Sequence, residues 1–264
     1  MHERGRCAPP GQADPGRERR LPLQSGRLGL RFQRMRTRDV HRWKVTPEEA
    51  VRIQEDLRRL VTLRDEFGPI RIVAGLDVSL TRSEGTATGG IVALNFPDLE
   101  LIETATTTQP IEFPYIPGLL SFRETPVLLA AFDLLAAEPD LLMVDGHGFA
   151  HPRRFGIACH IGLLLDIPTV GCAKSRLIGQ YEEPGPQPGD SSPLMVGTEI
   201  VGSVLRTKAG AKPVFVSQGN RVSLESVERL VLQCTKGQRL PEPTRLAHRL
   251  VSQARPDGSA EIRP

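Results

Sequence analysis

The sequence predicts an α/β fold: a single domain built on one mixed central sheet with helices packed against it. Two observations carry this. Three strand-like segments come first, between residues 71 and 108, separated by short turns that suit an antiparallel meander. Apolar helices and short apolar strands then alternate from residue 125 to 173, the order of parallel strands joined by crossover helices. The 264-residue chain contains no internal repeat.

Each element has a local reason. Thr46-Pro47-Glu48-Glu49 offers an N-cap, a proline at the first helical position and acids in the first turn, so a helix runs to about Leu63. Arg71 to Leu80 (RIVAGLDVSL) is apolar enough for a strand buried on both faces. Gly89 to Asn95 and Leu99 to Thr108 follow as strands, with Pro97-Asp98 marking the turn between them. After a proline-rich loop from Gln109 to Gly118, Thr125-Pro126 predicts the cap and start of a helix ending near Glu138-Pro139. Asp140 to Val144 is a short strand, Phe155 to Leu165 an apolar helix and Ile167 to Ala173 another strand. Residues 182–193 read as a flexible surface loop, with late strands at 194–206 and 213–217. Ser223 to Cys234 is a helix whose capping box would draw on Ser223 or Ser226 with Glu225 or Glu228. A last helix spans about Pro243 to Ala254.

Charge is uneven along the chain. Residues 1–40 carry ten Arg against two Glu and two Asp, a balance of +6, whereas the other 224 residues carry 24 basic and 27 acidic groups, a balance of −3. The overall +3 therefore belongs to the N-terminal extension, and a nucleic-acid surface in the body must be local. Residues 1–34, rich in Pro, Gly and Arg, read as disordered. They are either an over-long start ahead of Met35 or a basic arm with affinity for phosphates. The disordered extension is placed at 1–40, the catalytic domain at 41–255 and a flexible tail at 256–264. No apolar run reaches the roughly 18 residues of a membrane span, and the first residues hold no apolar signal segment. Cys7, Cys159, Cys172 and Cys234 are far apart, without a CxxC pair, which favours free thiols in the cytoplasm over a zinc knuckle or a disulfide framework.

Three carboxylates stand out. Asp77 interrupts an apolar strand, where a buried carboxylate needs an ion-pair partner or a metal. Asp145 closes the strand LLMVD and opens Gly146-His147-Gly148; the carboxyl ends of strands are where α/β sheets collect ligands, although a solvated turn would look the same. Glu124 lies just before the expected helix cap, where an acid would also simply favour the helix N-terminus. As a set they are hard oxygen donors suited to Mg²⁺ or Mn²⁺, ions that support phosphodiester hydrolysis. Lys174 follows a strand end and could face phosphate. His160, on an apolar helix, reads as a core histidine, and spacing alone assigns His248 no role. Pro114-Tyr115-Ile116-Pro117 holds a Tyr rigidly at a loop tip, either as a wedge for an unstacked base or as a loop packing its own ring. Aromatic content of 5% argues against a long single-strand stacking platform.

The segments FPYIPGLLSFRETP, PDLLMVDGHGFAHPRRFGIACHIGLLLDIPTVGCAKSRL and RLPEPTRLAH, with GLDVSL before them, resemble the endonuclease V family over about residues 46–255. That resemblance implies a ribonuclease-H-like fold and a DNA repair endonuclease acting at deoxyinosine. It implies hydrolysis of the second phosphodiester bond 3′ to the lesion, leaving 3′-hydroxyl and 5′-phosphate ends, with Mg²⁺ as cofactor and Mn²⁺ as substitute. By motif, Asp77 and Asp145 correspond to metal-binding carboxylates and Glu124 to the third member of the acidic site. Lys174 corresponds to the lysine near the reacting phosphate. His248 falls at a position that is His in some members and acidic in others. Tyr115, within Pro114, Ile116 and Pro117, corresponds to the wedge, and Gly146 and Gly148 suit a pocket reading hypoxanthine through main-chain groups. The implied partner is DNA containing deaminated adenine, handled by a monomer with no membrane association. Inosine-containing RNA as substrate, or a non-hydrolytic lesion sensor, are the alternatives.

Overall fold

The computed structural model describes residues 1–2, 37–81 and 85–254. Expectations for residues 3–36, Cys7 among them, and for 255–264 lie outside the described residues. The eight strands are β1 (Ile72–Thr81), β2 (Thr86–Asn95), β3 (Leu101–Pro110), β4 (Leu141–Val144), β5 (Thr169–Ala173), β6 (Ser191–Val196), β7 (Glu199–Leu205) and β8 (Val214–Asn220). They form one sheet in the order β3-β2-β1-β4-β5-β8-β7-β6. The first three strands are an antiparallel meander, β1, β4 and β5 are parallel neighbours, and β8, β7 and β6 run on in antiparallel fashion. The mixed sheet expected from the chain order is therefore what forms.

The helices are α1 (Pro47–Leu57, followed by a 3₁₀ turn at Arg58–Leu60), α2 (Leu120–Phe132), α3 (Ile157–Leu165), α4 (Leu224–Gln233) and α5 (Glu242–Gln253). Strand alternation splits the core into two layers. Val73, Met143, Val170 and Cys172 point to one face and pack with Val227 and Leu230 of α4 and Ala247 of α5. Ala74, Leu76, Leu142 and Val144 point to the other and pack with Leu128 and Phe132 of α2 and Ile161 of α3. Among the described residues, no helix is long and apolar enough to cross a membrane.

Several boundaries differ from the sequence expectation, each for a tertiary reason. Helix α2 begins at Leu120, so Thr125-Pro126 is not its cap but lies inside it, and Glu124 sits within the helix. An interior proline costs about 3 kcal/mol. Leu119 and Phe122 are buried in a cluster with Phe113 and Ala50, and burying each such side chain returns about 1.5–3 kcal/mol. The same helix stops at Phe132 instead of continuing to 138, and the N–H groups of Ala136 and Ala137 donate to the Glu103 carboxylate on β3.

At α1 the capping box is complete: Glu49 N–H donates to Thr46 Oγ1 (3.2 Å) and Thr46 N–H to Glu49 Oε2 (2.9 Å). At α4 only Ser223 caps, and Asp65, distant in sequence, takes the N–H of Ser223 at 2.7 Å and the hydroxyl of Ser226 at 2.7 Å. The expected disordered extension also ends too late. Arg38 N–H donates to Leu164 O at 2.7 Å and Val40 packs against both α3-side clusters, so the body includes residues assigned to the extension. The segment expected to be a flexible loop over 182–193 enters β6 at Ser191, and the rest is tied down by the guanidinium of buried Arg206, which donates to Gly185 O and Pro184 O and pairs with Glu183.

Helix α5 crosses β1 at Gly75, where an added Cβ would lie 1.9 Å from Pro243 O. The missing side chain is what lets the helix approach the strand backbone. Gly75→Ala should destabilise the protein by roughly 1–3 kcal/mol through overpacking. Urea unfolding measures this, and a loss below about 0.5 kcal/mol would show that the helix can shift freely.

Candidate active site

The parallel register builds the centre of the site. Leu76 pairs with Val144, and Asp145 N–H donates to Leu76 O at 2.9 Å, so Asp145, just past the carboxyl end of β4, lies beside Asp77 in the middle of β1. Strand β5 is the next parallel neighbour and ends at Ala173, which sets Lys174 beside them. Lys174 Nζ is 2.6 Å from Asp145 Oδ2. Helix α5 delivers His248, whose Nδ1 is 2.7 Å from Asp77 Oδ2 and 3.3 Å from Lys174 Nζ. One ring nitrogen cannot serve both. With Asp77 ionised, Nδ1 carries the proton and donates to it, and Lys174 is left to Asp145. Asp77 Oδ1 accepts from Val78 N–H at 2.8 Å.

Among the described residues, Asp77, Asp145 and His248 can place one ligand atom each within 4.8 Å of one another. Two carboxylates and an imidazole suit a divalent cation. Glu124 approaches from α2, on the sheet face opposite α5. Burial, with the negative charges of Asp77 and Asp145, pushes its carboxyl up to about 8. Burial and Asp77 likewise raise Asp145 to about 6, against the opposing pull of Lys174. A cluster holding protons against its own repulsion fits a cation: the charge that destabilises it alone is what binds the ion.

The other expected residues are placed as follows. Tyr115 is 68% exposed at a loop tip, flanked by exposed Pro114 and Pro117, while Ile116 tucks back toward the cluster around Phe113. Gly146 is half-buried beside Asp145. Gly148 is buried, its N–H donates to Ser217 Oγ, and its carbonyl accepts from Gly156, so both its main-chain groups are engaged within the protein. An added Cβ there would meet Gln218 O at 2.0 Å, so this glycine is required by packing against β8. His147 Nε2 is 3.0 Å from Ser175 O, tying the loop after β4 to that after β5, and burial lowers its pKa to about 4. His160 is a core histidine, 2.7 Å from His41 Nε2 and surrounded by Trp43, Phe122 and Phe155. A shallow concavity bounded by Pro152, Ile178 and Met195 lies apart from the carboxylates and contains none of these groups.

Sequence reading missed three supporting residues. Arg239 donates from Nη2 to Lys174 O at 2.6 Å and fixes that backbone. Gln54 and Arg153 meet near the proline-rich loop. Only Gln54 leaves a trace in sequence, as a polar residue on the buried stripe of α1 with Ala50 and Leu57.

Comparison with known proteins decides the family. The endonuclease V family model matches residues 55–249, which include Asp77, Glu124, Asp145, Lys174 and His248. This chain belongs to the endonuclease V family. It is 48% identical to an endonuclease V of Trichormus variabilis over 213 residues, covering 80% of this chain and 96% of that protein. The crystal structure of endonuclease V from Streptomyces avermitilis superposes with a TM-score of 0.77 at 42% identity, covering 83% of this chain and 96% of that one. Endonuclease V of Ciona intestinalis, in complex with a 23mer DNA containing an inosine followed by a ribo-adenosine, superposes with a TM-score of 0.70 at 30% identity, covering 79% of this chain and 98% of that one. The protein is a nuclease with the ribonuclease-H-like arrangement of a mixed sheet between helices.

The raised carboxyls link stability to pH. Glu124 ionises near 4.5 when unfolded and near 8 when folded, so its contribution is present below pH 4.5 and is lost as pH rises toward about 8. Chelator-treated protein should therefore melt at progressively lower temperature across that interval. Glu124→Gln should flatten the decline, and millimolar Mg²⁺ should raise the melting temperature most at the alkaline end. A Glu124→Gln curve parallel to the wild type would refute this assignment.

Proposed function

We propose that this protein is a metal-dependent repair endonuclease that recognises deoxyinosine in DNA and hydrolyses the second phosphodiester bond 3′ to it, leaving 3′-hydroxyl and 5′-phosphate ends. The observation that carries the reading is the cluster of Asp77 in β1, Asp145 and Lys174 just past the ends of β4 and β5, and His248 of α5, in an endonuclease V chain. The Ciona intestinalis relative supports the substrate, since it is complexed with inosine-containing DNA. The catalytic domain is residues 41–255, acting as a cytoplasmic monomer.

In this reading Asp77 and Asp145 hold Mg²⁺, with Glu124 as the third acidic group and Mn²⁺ as a substitute. When bound, the cation supplies an activated water and charge stabilisation at the leaving oxygen. The carboxyl groups give up their protons as they become ligands. His248, bonded to Asp77, orients that carboxylate. Lys174 brings a positive charge to the scissile phosphate and offsets the charge that builds there. Tyr115 enters the stack beside the lesion, held stiff by Pro114 and Pro117, while inosine turns outward. Hypoxanthine pairs weakly, so its extrusion costs less than that of a normal base. Gly146, half-buried beside Asp145, offers its main-chain groups to the base edge, whereas Gly148, whose main-chain groups are engaged, supports that loop from beneath.

A second reading has one specific support. The DNA bound to the Ciona intestinalis protein carries a ribo-adenosine after the inosine, so a 2′-hydroxyl at that position is accommodated in a relative and inosine-containing RNA is a candidate substrate here.

The test is a 5′-labelled duplex with one deoxyinosine, and its RNA counterpart, incubated with Mg²⁺ and resolved at single-nucleotide level. One product ending one nucleotide 3′ of the inosine is expected. Asp145→Ala should reduce turnover by roughly a hundredfold or more, as loss of a group stabilising transition-state charge does. Undiminished cutting by Asp145→Ala would end the assignment. Cutting of RNA alone would establish the second reading, and tight inosine binding without any cutting would indicate a lesion sensor.

A further inference from the structure

The loop that carries Tyr115 has no regular secondary structure, yet one point at its foot is unusually well held. The carbonyl of Gly118 accepts from three side chains: Gln54 Nε2 at 3.1 Å, His151 Nε2 at 2.9 Å and Arg153 Nη2 at 2.6 Å. Gly118 itself has φ +80°, a conformation that glycine adopts at no steric cost and that turns this carbonyl toward its donors. A carbonyl oxygen has two lone pairs, so three donors exceed its ordinary capacity.

The donors are fixed in turn. Arg153 N–H donates to His151 Nδ1 at 3.2 Å, which leaves the ring proton on Nε2, where it faces Gly118. Arg153 Nε donates to Gln54 Oε1 at 2.5 Å. The second proton of Gln54 Nε2 goes to Phe155 O at 3.1 Å. Gln54 is fully buried, and all its amide capacity except one lone pair is used by these three contacts. Phe155 closes the segment that starts at Asp145 and runs into α3. Gln54 and Arg153 therefore bridge two loops, one bearing the exposed Tyr115 and the other beginning at Asp145.

The geometry points to Gln54 and Arg153 as positioning residues that hold the Tyr115 loop in register with the Asp145 loop, so that opening of the duplex and cleavage are set at a fixed spacing. This rests on the inosine-nuclease reading above. A loop ordered in advance does not lose its conformational entropy when nucleic acid arrives. The bridge touches neither the carboxylates nor Lys174, so it matters where strands must be parted and little where they already are. A purely structural role would affect both situations alike.

The experiment compares wild type, Gln54→Leu, Arg153→Ala and Arg153→Lys on one inosine-containing strand, first in duplex and then alone. Gln54→Leu and Arg153→Ala should lower kcat/KM on the duplex by roughly tenfold, the scale of one buried hydrogen-bonding group left unpaired. They should alter it less than about twofold on the single strand, and on the duplex the product band should spread to neighbouring positions. Arg153→Lys, which can still donate to Gly118 O, should recover part of the duplex rate. Equal losses on both substrates, or no loss on either, overturn the proposal. Failure of the wild type to cut any inosine substrate instead removes the underlying function, and the bridge role falls with it.

Discussion

Two carboxylates, Asp77 and Asp145, are held side by side with side chains only 10% and 11% exposed, and nearly everything around them is arranged to make that tolerable. Like charges at such a place repel, and burial withholds the water that would screen them. Lys174 answers one, His248 answers the other, and Glu124 keeps its proton until well above the usual carboxylate range. The cluster is a local source of instability, offset by the Lys174 charge and the His248 hydrogen bond. The same repulsion that makes the cluster costly suits it to a divalent cation.

That arrangement needs backbones closer together than side chains permit. Gly75 lets α5 lie against β1, which brings His248 to Asp77. On the other face of the sheet Gly89 gives α2 similar access to β2, and an added Cβ would meet Val127 O at 2.8 Å. Glu124 and His248 thus converge from opposite layers on Asp77 in the middle of β1. Behind the site, Gly148 and Gly171 let the loop after β4 settle onto β8 and β5. Glycines at these points act as spacers that set how near the helices come to the strand ends.

A second set of contacts joins this centre to the exposed Tyr115 loop. The carboxylates depend on strand register, which the sheet makes rigid. Tyr115 stands on irregular chain, and its position is set by side chains that reach it from α1 and from the segment before α3. Buried Gln54 is tolerated because both its amide protons and its carbonyl oxygen find partners. The functional parts of the molecule are thus held by two different means, a ladder of main-chain bonds at the centre and a side-chain network at the rim.

Much of this was legible in the chain itself. Alternating helices and short strands specified the mixed sheet, because an element's apolar pattern depends mainly on which of its faces is buried. Asp77 and Asp145 stood out since a carboxylate within or at the end of an apolar strand has few reasons to be there. The start of α2 was hidden because a Thr-Pro pair gives a strong local signal, and only the burial of Leu119 and Phe122 against α1 overrides it. The partners of Gln54, the Asp65 contacts at α4 and the support of Lys174 by Arg239 join residues far apart in sequence, and no local pattern encodes such pairings. By itself the sequence determined the sheet class and the carboxylates set in apolar surroundings, both consequences of local pattern and composition. Which groups touch, which keep their protons and how the Tyr115 loop is tied to the centre were decided by tertiary structure alone, because these depend on distances that exist only once the layers have packed.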